Sequence, residues 1–591
     1  MTSVPDTVAY VDSTLRDLAP APWGNAVDGD DLAAAAGALS EAGARVLEAL
    51  DARCAHVALD GRAESPWDRL RAVLREAGST PVGIVVGGRN LWGEHPVGDD
   101  VVRQFVLCAH DSGVARIRAT DPLNDPDALA ALAHACLESG VAFVPTLIVG
   151  PHPAPIDTRW VEEARWLADL PGVSALCLSE GAGYISPTAL GSLVRDVGEA
   201  TGLPIEVQVQ APGGLAPLSA MARVANGAAA VQASAGPVAL VSARPSAETL
   251  RAALLGGARP LDCDAAGIDR AARIVGPLVP TERLRQAAAA VFGPAVAVPP
   301  ALEHGLIARL GRLGLSRSLS AVAAESATVA REVGGATLGY PLGSAILAQA
   351  ARHVIDGQRW DDIEDDLVPV VLGRAGRLRG PVADQARAPA QAADPGDLPV
   401  RDLAAVSAEA PEGLSDEDLV LWAMFGESTA HLVARRRSLR AEAARRPSQP
   451  TIDRELLDSL VDAVEATDDT EISVEVAGAR VTVRRANPVI PIEGAGTAEP
   501  GVPTEADDGL QRIVSPMVGT FYRRPSPDDP PFVEEGRRVA AGDTLCLIEA
   551  MKLFNEIVAE EPGIVRSVLL DDSAPAEYGQ LLFLIEPLAG A

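Results

Sequence analysis

Residues 543–565 read DTLCLIEAMKLFNEIVAEEPGIV. Two short β-type runs, Thr544–Ile548 and Glu556–Ala559, flank Lys552, and their spacing places that lysine in the turn of a hairpin, facing solvent. The stretch has an internal echo: the run from Gly542 to Glu549, GDTLCLIE, matches the run from Gly579 to Glu586, GQLLFLIE, at an offset of 37 residues. Two similar strand sets imply a small two-fold β sandwich with the lysine hairpin at the join.

Lys552 stands out in the composition as well. Of the 50 basic side chains, 49 are Arg and one is Lys. A strongly GC-biased genome accounts for the arginines but not for the exception. Arg and Lys are nearly interchangeable on a solvated surface, yet only a primary amine can be acylated or form a Schiff base. The single retained lysine therefore suggests chemistry on its amine.

The rest of the composition sets bounds. A chain of 591 residues is too long for one ordinary domain. Hydrophobic residues make up 48% but aromatics only 3%, so the cores must be built from Ala, Val and Leu. Asp, Arg, Pro or Gly interrupts every apolar run well short of a membrane span, and the N-terminus lacks a basic start and an apolar signal core. These features predict a soluble, cytoplasmic protein with no membrane contact. The net charge of −31 argues against nucleic-acid binding, because a phosphate backbone would be repelled. The six cysteines, Cys54, Cys108, Cys136, Cys177, Cys263 and Cys546, include no CxxC pair, so neither a disulfide framework nor a zinc ribbon is indicated.

From the N-terminus to about residue 260, apolar β-like runs alternate with Ala-rich amphipathic stretches. The runs are Val8–Asp12, Arg45–Glu48, Val82–Val86, Val114–Arg118, Val141–Ile148, Ala175–Leu178, Ile205–Gln208 and Ala229–Ala233. Eight such repeats predict a (β/α)8 barrel with any active site at the C-terminal strand ends. An open doubly wound sheet is the alternative, but no glycine-rich dinucleotide fingerprint supports it. The expected architecture is thus multidomain, α/β plus β: a TIM barrel over 1–295, a helical post-barrel region over 296–440, a segment at 450–486, a Pro-, Gly- and Ala-rich mobile tether at 487–510, and a flattened β-barrel sandwich at 511–588.

The C-terminal part resembles the biotin carboxyl carrier of acetyl-CoA carboxylase. Glu549-Ala550-Met551-Lys552 is similar to that family's biotinyl-lysine motif, and Ser515-Pro516-Met517-Val518-Gly519-Thr520-Phe521-Tyr522 is similar to the opening of its carrier domain. The stretch RPSPDDPPF, Arg524–Phe532, falls where those carriers have a protruding thumb, and Thr451–Arg485 resembles the segment before their linker. Lipoyl domains share the fold but typically place Asp before the lysine. The resemblance implies biotin covalently attached to Lys552 by a biotin protein ligase. Its ureido nitrogen would accept CO2 at one site and deliver it at another, with the tether raising the effective concentration at both.

The N-terminal part resembles the carboxyltransferase barrels of pyruvate carboxylase, oxaloacetate decarboxylase and transcarboxylase. Asp12-Ser13-Thr14-Leu15-Arg16-Asp17 is similar to their opening, and Gly88-Arg89-Asn90-Leu91, Leu123-Asn124-Asp125 and Gly181-Ala182-Gly183 fall in family positions. Tyr340-Pro341-Leu342-Gly343-Ser344 and Ser415-Asp416-Glu417-Asp418 resemble post-barrel segments, so the likeness covers about three quarters of the chain.

The departures gather where the chemistry should be. The resemblance implies a divalent metal held by an Asp, a His-x-His pair and a carboxylated lysine. Asp17 matches the Asp, but the pair falls on Gln208-Val209-Gln210 and the lysine on Ser179. Amide side chains are poor zinc or manganese ligands compared with imidazole, so no metal site of that type is expected. A loop Gln of the family falls on Pro20 and a third-strand Arg on Gly87, while its proton-shuttling Thr aligns loosely with Ser242. Arg16, Asp17 and Ser242 thus remain as catalytic remnants in a barrel expected to be inactive. The plain reading of Arg16 and Asp17 is a pair at the barrel rim, and that of Leu123-Asn124-Asp125 a helix-capping turn.

Two functions are compatible with this pattern. In the first, the chain is the carrier of an acyl-CoA carboxylase, most simply for acetyl-CoA, and the barrel is a scaffold. A biotin carboxylase subunit would carboxylate the biotin on Lys552, a separate acyl-CoA carboxyltransferase subunit would unload it, and the assembly would be oligomeric. In the second, the barrel is itself a carboxyltransferase or decarboxylase acting without the usual metal. An active barrel should keep a concave pocket with convergent polar groups at its strand ends.

Overall fold

The computed structural model describes residues 6–18, 27–62, 64–150, 159–181, 185–211, 214–292, 318–394, 400–430, 471–476, 479–484, 511–514, 519–524, 531–540, 543–550, 553–559, 562–570, 574–576 and 581–587, with isolated residues between. The tether at 487–510 lies outside them, as do Pro20, Met551, Lys552, most of the thumb and the first part of the 450–486 segment. The chain forms two compact units, Met1–Ser448 and Gln449–Ala591.

In the first unit, eight strands alternate with helices: β1 Val8–Asp12, β2 Val46–Leu50, β3 Val82–Val86, β4 Arg116–Thr120, β5 Ala142–Val149, β6 Leu176–Glu180, β7 Ile205–Val209 and β8 Ala230–Ala233. Each pairs in parallel with the next, and β1 pairs with both β8 and β2, which closes the barrel. All eight apolar runs are strands, displaced by at most two residues at either end. They read as near-continuous apolar segments because a parallel sheet wrapped by helices is buried on both faces.

The helices form where small and aliphatic residues recur at helical spacing between good caps. Asp28 closes a reciprocal capping box with Asp31 at the start of the Gly29–Glu41 helix, whose Leu32, Ala35, Ala36 and Leu39 face the core. Helices Asp99–Ser112, Pro126–Ser139 and Pro187–Thr201 all end at a glycine with positive φ, at Gly113, Gly140 and Gly202, where a side chain would be strained. The few aromatics are concentrated: Trp67, Trp92 and Phe105 lie with ring centroids 4.9–5.4 Å apart beneath the helical layer. A second apolar core holds helices Leu319–Glu332 and Leu342–Asp356 together through Val322, Val329, Ile346 and Leu347. Helix Asp416–Phe425 returns to the barrel, its N-terminus capped by Ser415 and its Val420, Leu421 and Trp422 packed into the barrel core.

The second unit contains a hairpin, Glu471–Val476 with Ala479–Arg484, and two four-stranded sheets. Thr544–Ala550 lies in one sheet between Leu553–Val558 and Gly519–Tyr522. Its sequence echo, Leu581–Pro587, lies in the other between Gln511–Val514 and Gly563–Val568. The edge pairs Arg538–Val539 and Pro575–Ala576 stand one on each sheet, again 37 residues apart. The repeat read from the sequence is therefore the two-fold of the sandwich. Phe521, Leu545, Val565, Phe583 and Ile585 fill the space between the sheets.

Candidate functional site

The hairpin of the second unit presents one candidate. Ala550 pairs with Leu553 and Glu549 with Phe554, so the antiparallel ladder runs to the last residue on each side of Met551-Lys552. The strands are longer than the runs expected, and they leave only two residues for the turn. Met551 and Lys552 themselves lie outside the described residues.

The barrel presents the other. Strands that wind around a closed axis aim alternate side chains inward, and such interiors are normally filled by branched apolar residues. Here the inward positions include Glu48 on β2, Arg116 and Arg118 on β4, Glu206 on β7 and Gln232 on β8, all buried. Arg118 donates to both oxygens of Glu48 at 2.7 and 3.0 Å, Arg116 reaches Glu206 at 2.7 and 2.9 Å and Glu48 at 3.1 Å, and Gln232 donates to Glu206 at 2.7 Å. Arg16 joins from above by a short bond to Glu48. Burial alone would raise the Glu48 carboxyl, but Arg118, Arg16 and Arg116 hold it well below the usual carboxylate range. These charges are legible as single polar residues at alternate positions of apolar runs, Arg116-Ile117-Arg118 and Ile205-Glu206-Val207, but no partner could be assigned to any of them from the sequence.

Above this network the strand ends surround a cavity of about 300 Å³. Its polar lining includes Arg16, Arg53, Arg118, Arg244, Ser179 and Gln208, and its apolar lining includes Val85, Ile148, Leu302 and Leu338. Arg16 and Asp17 sit on the short helix Thr14–Leu18 that follows β1. They are paired, with Arg16 Nη2 donating to Asp17 at 3.2 Å, and both are buried. Asp17 is bound further: Arg244 Nε donates to its Oδ2 at 3.0 Å, and the Ser234 hydroxyl donates to the same oxygen at 3.1 Å. Burial would raise the Asp17 carboxyl, but Arg16, Arg244 and Arg53 together lower it to about 2. Arg53, at the start of the Ala52–Arg62 helix, is paired with Asp51 just after β2 at 2.7 and 3.0 Å.

Ser179 and Gln208 line the cavity from β6 and β7, as does Gln210 just beyond β7. Gln210 donates to the Ser242 carbonyl at 2.9 Å, and the buried Gln208 Oε1 has no partner. Ser242 itself ends the Pro237–Val241 helix, and its hydroxyl donates to the Val238 carbonyl at 2.7 Å rather than lining the cavity. Gly87 lines the cavity at the end of β3. Asn124 takes a left-handed φ of 52°, and Asp125 caps the Pro126–Ser139 helix while accepting from the Arg377 amide at 2.8 Å. The structure thus brings Arg16, Asp17, Ser179, Gln208 and Gln210 to one place and leaves the Ser242 hydroxyl outside it. Sequence reasoning missed Arg53, Arg118 and Arg244, the other three guanidinium groups of the cavity.

These residues do not fit a divalent metal. Of the four positions implied by the resemblance, only Asp17 is a carboxylate, and it is already held by two guanidinium groups and a hydroxyl. Among the described residues no three His, Cys, Asp or Glu side chains come together as a ligand set. No described helix is long and apolar enough to cross a membrane.

Comparison with known proteins agrees with both halves. Residues 511–585 match the family described as Biotin-requiring enzyme. A pyruvate carboxylase subunit from Methanocaldococcus jannaschii is 24% identical over 575 residues, spanning 92% of this chain and 94% of that protein. The 2-oxoglutarate carboxylase large subunit of Hydrogenobacter thermophilus is also 24% identical, over 93% of this chain and 91% of its own length. The biotin carboxyl carrier protein of acetyl-CoA carboxylase from Nostoc is 51% identical over 81 residues, 14% of this chain and 44% of that carrier. In structure, the carboxyl transferase domain from Rhizobium etli pyruvate carboxylase with pyruvate superposes with a TM-score of 0.65 at 21% identity, covering 73% of this chain and 77% of that one. The chain fuses a carboxyltransferase-type barrel to a biotinyl domain that carries covalently attached biotin, and so belongs with the biotin-dependent carboxylases.

Proposed function

We propose that the chain is the biotin carboxyl carrier of an acyl-CoA carboxylase, acetyl-CoA being the first acceptor to test, with the cofactor on Lys552. The observation that supports this most is the antiparallel pairing of Thr544–Ala550 with Leu553–Val558, which flanks the chain's single lysine in sequence. The likeness of this domain to acetyl-CoA carboxylase carriers supports the acceptor class. When attached, biotin supplies a ureido nitrogen on which carboxyl travels between sites. The chain's own part is to supply the lysine amine between the two paired strands. A biotin protein ligase loads it, a biotin carboxylase subunit charges it in the cytoplasm, and an acyl-CoA carboxyltransferase subunit discharges it. The barrel is then a docking scaffold in which Arg244 holds Asp17.

A second reading is that the barrel accepts the carboxyl itself. The open cavity with convergent polar groups favours it, because that feature is expected of an active barrel, and so does the end-to-end likeness to proteins named for pyruvate and 2-oxoglutarate carboxylation. One assay separates the two. Fixation of labelled bicarbonate is followed with the biotinylated chain, a biotin carboxylase and ATP, offering acetyl-CoA, propionyl-CoA, pyruvate or 2-oxoglutarate in turn. The carrier reading expects fixation only with an acyl-CoA and an added carboxyltransferase. Fixation into a keto acid without any added carboxyltransferase refutes it in favour of the second.

A further inference from the structure

We infer that Tyr340 and His56 form a proton relay between the barrel cavity and solvent, acting on the acidic carbon of a small enolisable carbonyl compound. This goes beyond the carrier role and does not depend on it. The first ground is geometry. Tyr340 lines the cavity from the segment just before the Leu342–Asp356 helix. Its hydroxyl lies 3.3 Å from Nε2 of His56, on the Ala52–Arg62 helix. The hydroxyl of Thr120, also in the lining, donates instead to the Val86 carbonyl at 3.2 Å. Ser242, at the position loosely aligned with a proton-shuttling Thr, turns its hydroxyl to the Val238 carbonyl. Among the described residues, Tyr340 carries the lining hydroxyl that is bonded to an imidazole, the side-chain type best suited to take up and release protons at neutral pH.

The second ground is support. The His56 ring stands edge-on to Phe425 with centroids 4.9 Å apart, and edge-on to Tyr340 at 6.5 Å. Phe425 is the last residue of the Asp416–Phe425 helix, so three separate stretches of the first unit converge on the pair. Both Tyr340 and His56 are half-buried, which joins a cavity wall to a ring that solvent still reaches. The third ground is charge. Burial raises the Tyr340 phenol well above its usual value; Glu94, Asp51 and Asp366 add to this, and Arg53 opposes them. The phenol therefore keeps its proton. That excludes a standing phenolate base and suits a hydroxyl that passes one proton on as it takes another.

The step balances as follows. With the imidazole proton on Nδ1, Nε2 of His56 accepts from the phenol. The C–H bond beside the bound carbonyl breaks, and its electron pair enters the enolate, whose charge falls to the guanidinium groups of the lining. The carbon's proton goes to the phenol oxygen while the phenol's own proton goes to His56 Nε2, so Tyr340 is neutral before and after. The imidazolium then gives its proton to water. Reversal of the same path returns a solvent proton to carbon.

The test uses the full chain, unbiotinylated and freed of metal with EDTA, in deuterium oxide. Loss of the proton signals beside the carbonyl of pyruvate and of 2-oxoglutarate is followed by NMR. This exchange needs neither biotin nor bicarbonate, so its outcome leaves the carrier reading to the fixation assay. The wild-type chain should exchange at least one of the two compounds faster than buffer alone. Tyr340→Phe keeps the ring, removes only the hydroxyl, and should slow exchange roughly a hundredfold without changing the concentration that half-saturates the rate. His56→Ala should slow it comparably, and added imidazole should restore much of the loss, which a merely structural role of His56 would not allow. No exchange by the wild-type chain, an undiminished rate in Tyr340→Phe, or no response of His56→Ala to imidazole would each overturn the inference.

Discussion

Arg244 Nε donates to Asp17 Oδ2 at 3.0 Å, joining a residue beyond β8 to one on the helix after β1, 227 positions apart. That bond ties the segment after β8 to the helix after β1 at the end of the barrel where the cavity lies. Its direct consequence concerns metal content. Both carboxylate oxygens of Asp17 already accept hydrogen bonds, from Arg16, Ser234 and Arg244, and Ser179, Gln208 and Gln210 are weak ligands. Purified protein should contain well under one zinc or manganese per chain by elemental analysis. Stoichiometric metal that is lost in Asp17→Asn would establish a metal centre at this residue and overturn the expectation.

Lys552→Arg should abolish biotin attachment and leave the sandwich folded. Arginine keeps the charge but offers no amine for acylation. Intact-mass measurement after co-expression with a biotin ligase reads the outcome directly, and a biotin adduct on the variant would show that another group is modified.

Glu48→Gln should destabilise the barrel by about 3–5 kcal/mol, the penalty typical of removing one member of a buried charge network. Glu48 accepts from Arg16, Arg116 and Arg118 at once, so its neutralisation leaves three guanidinium groups short of counter-charge. Denaturant unfolding of the full chain, following the tryptophans of the first unit, measures this. A loss under about 1 kcal/mol would place the network in the range of exposed ion pairs.

Asp12 makes stability depend on pH in an unusual direction. Burial raises its folded carboxyl to about 7, although Thr14 and Tyr10 donate to it. Unfolded, it titrates near 3.9. Between these values the folded state holds a proton that the unfolded state has released, so stability falls as pH rises from about 4 to about 7. The effect is on the order of 4 kcal/mol if the full shift is realised. Asp12→Asn lacks this contribution, whatever constant offset it introduces. The stability gap between wild type and variant should therefore narrow across that pH range. A gap that stays constant would place the folded carboxyl near its ordinary value.

The division between sequence and tertiary structure is clear in particular residues. The eight barrel strands were legible because burial on both faces turns each into an apolar run, and β1 was placed to the residue. The sandwich was legible because its two halves repeat, so that Thr544–Ala550 and Leu581–Pro587 announce each other. The importance of Lys552 was legible because it is unique in composition and its amine has no substitute in arginine. These are local or compositional signals. The Arg16–Asp17 pair was legible from adjacency, but the other partners of Asp17 were not, since Ser234 and Arg244 lie more than 200 positions away and are brought to it only by closure of the barrel. Glu48, Arg116 and Glu206 each appeared as one polar residue in an apolar run, and only the inward pleat of strands β2, β4 and β7 makes them partners. The sequence by itself determined which elements form and which amine is singled out. Only the tertiary structure decided that the charges of distant strands meet, because ion pairing depends on separation in space, and chain closure sets that separation independently of any local pattern.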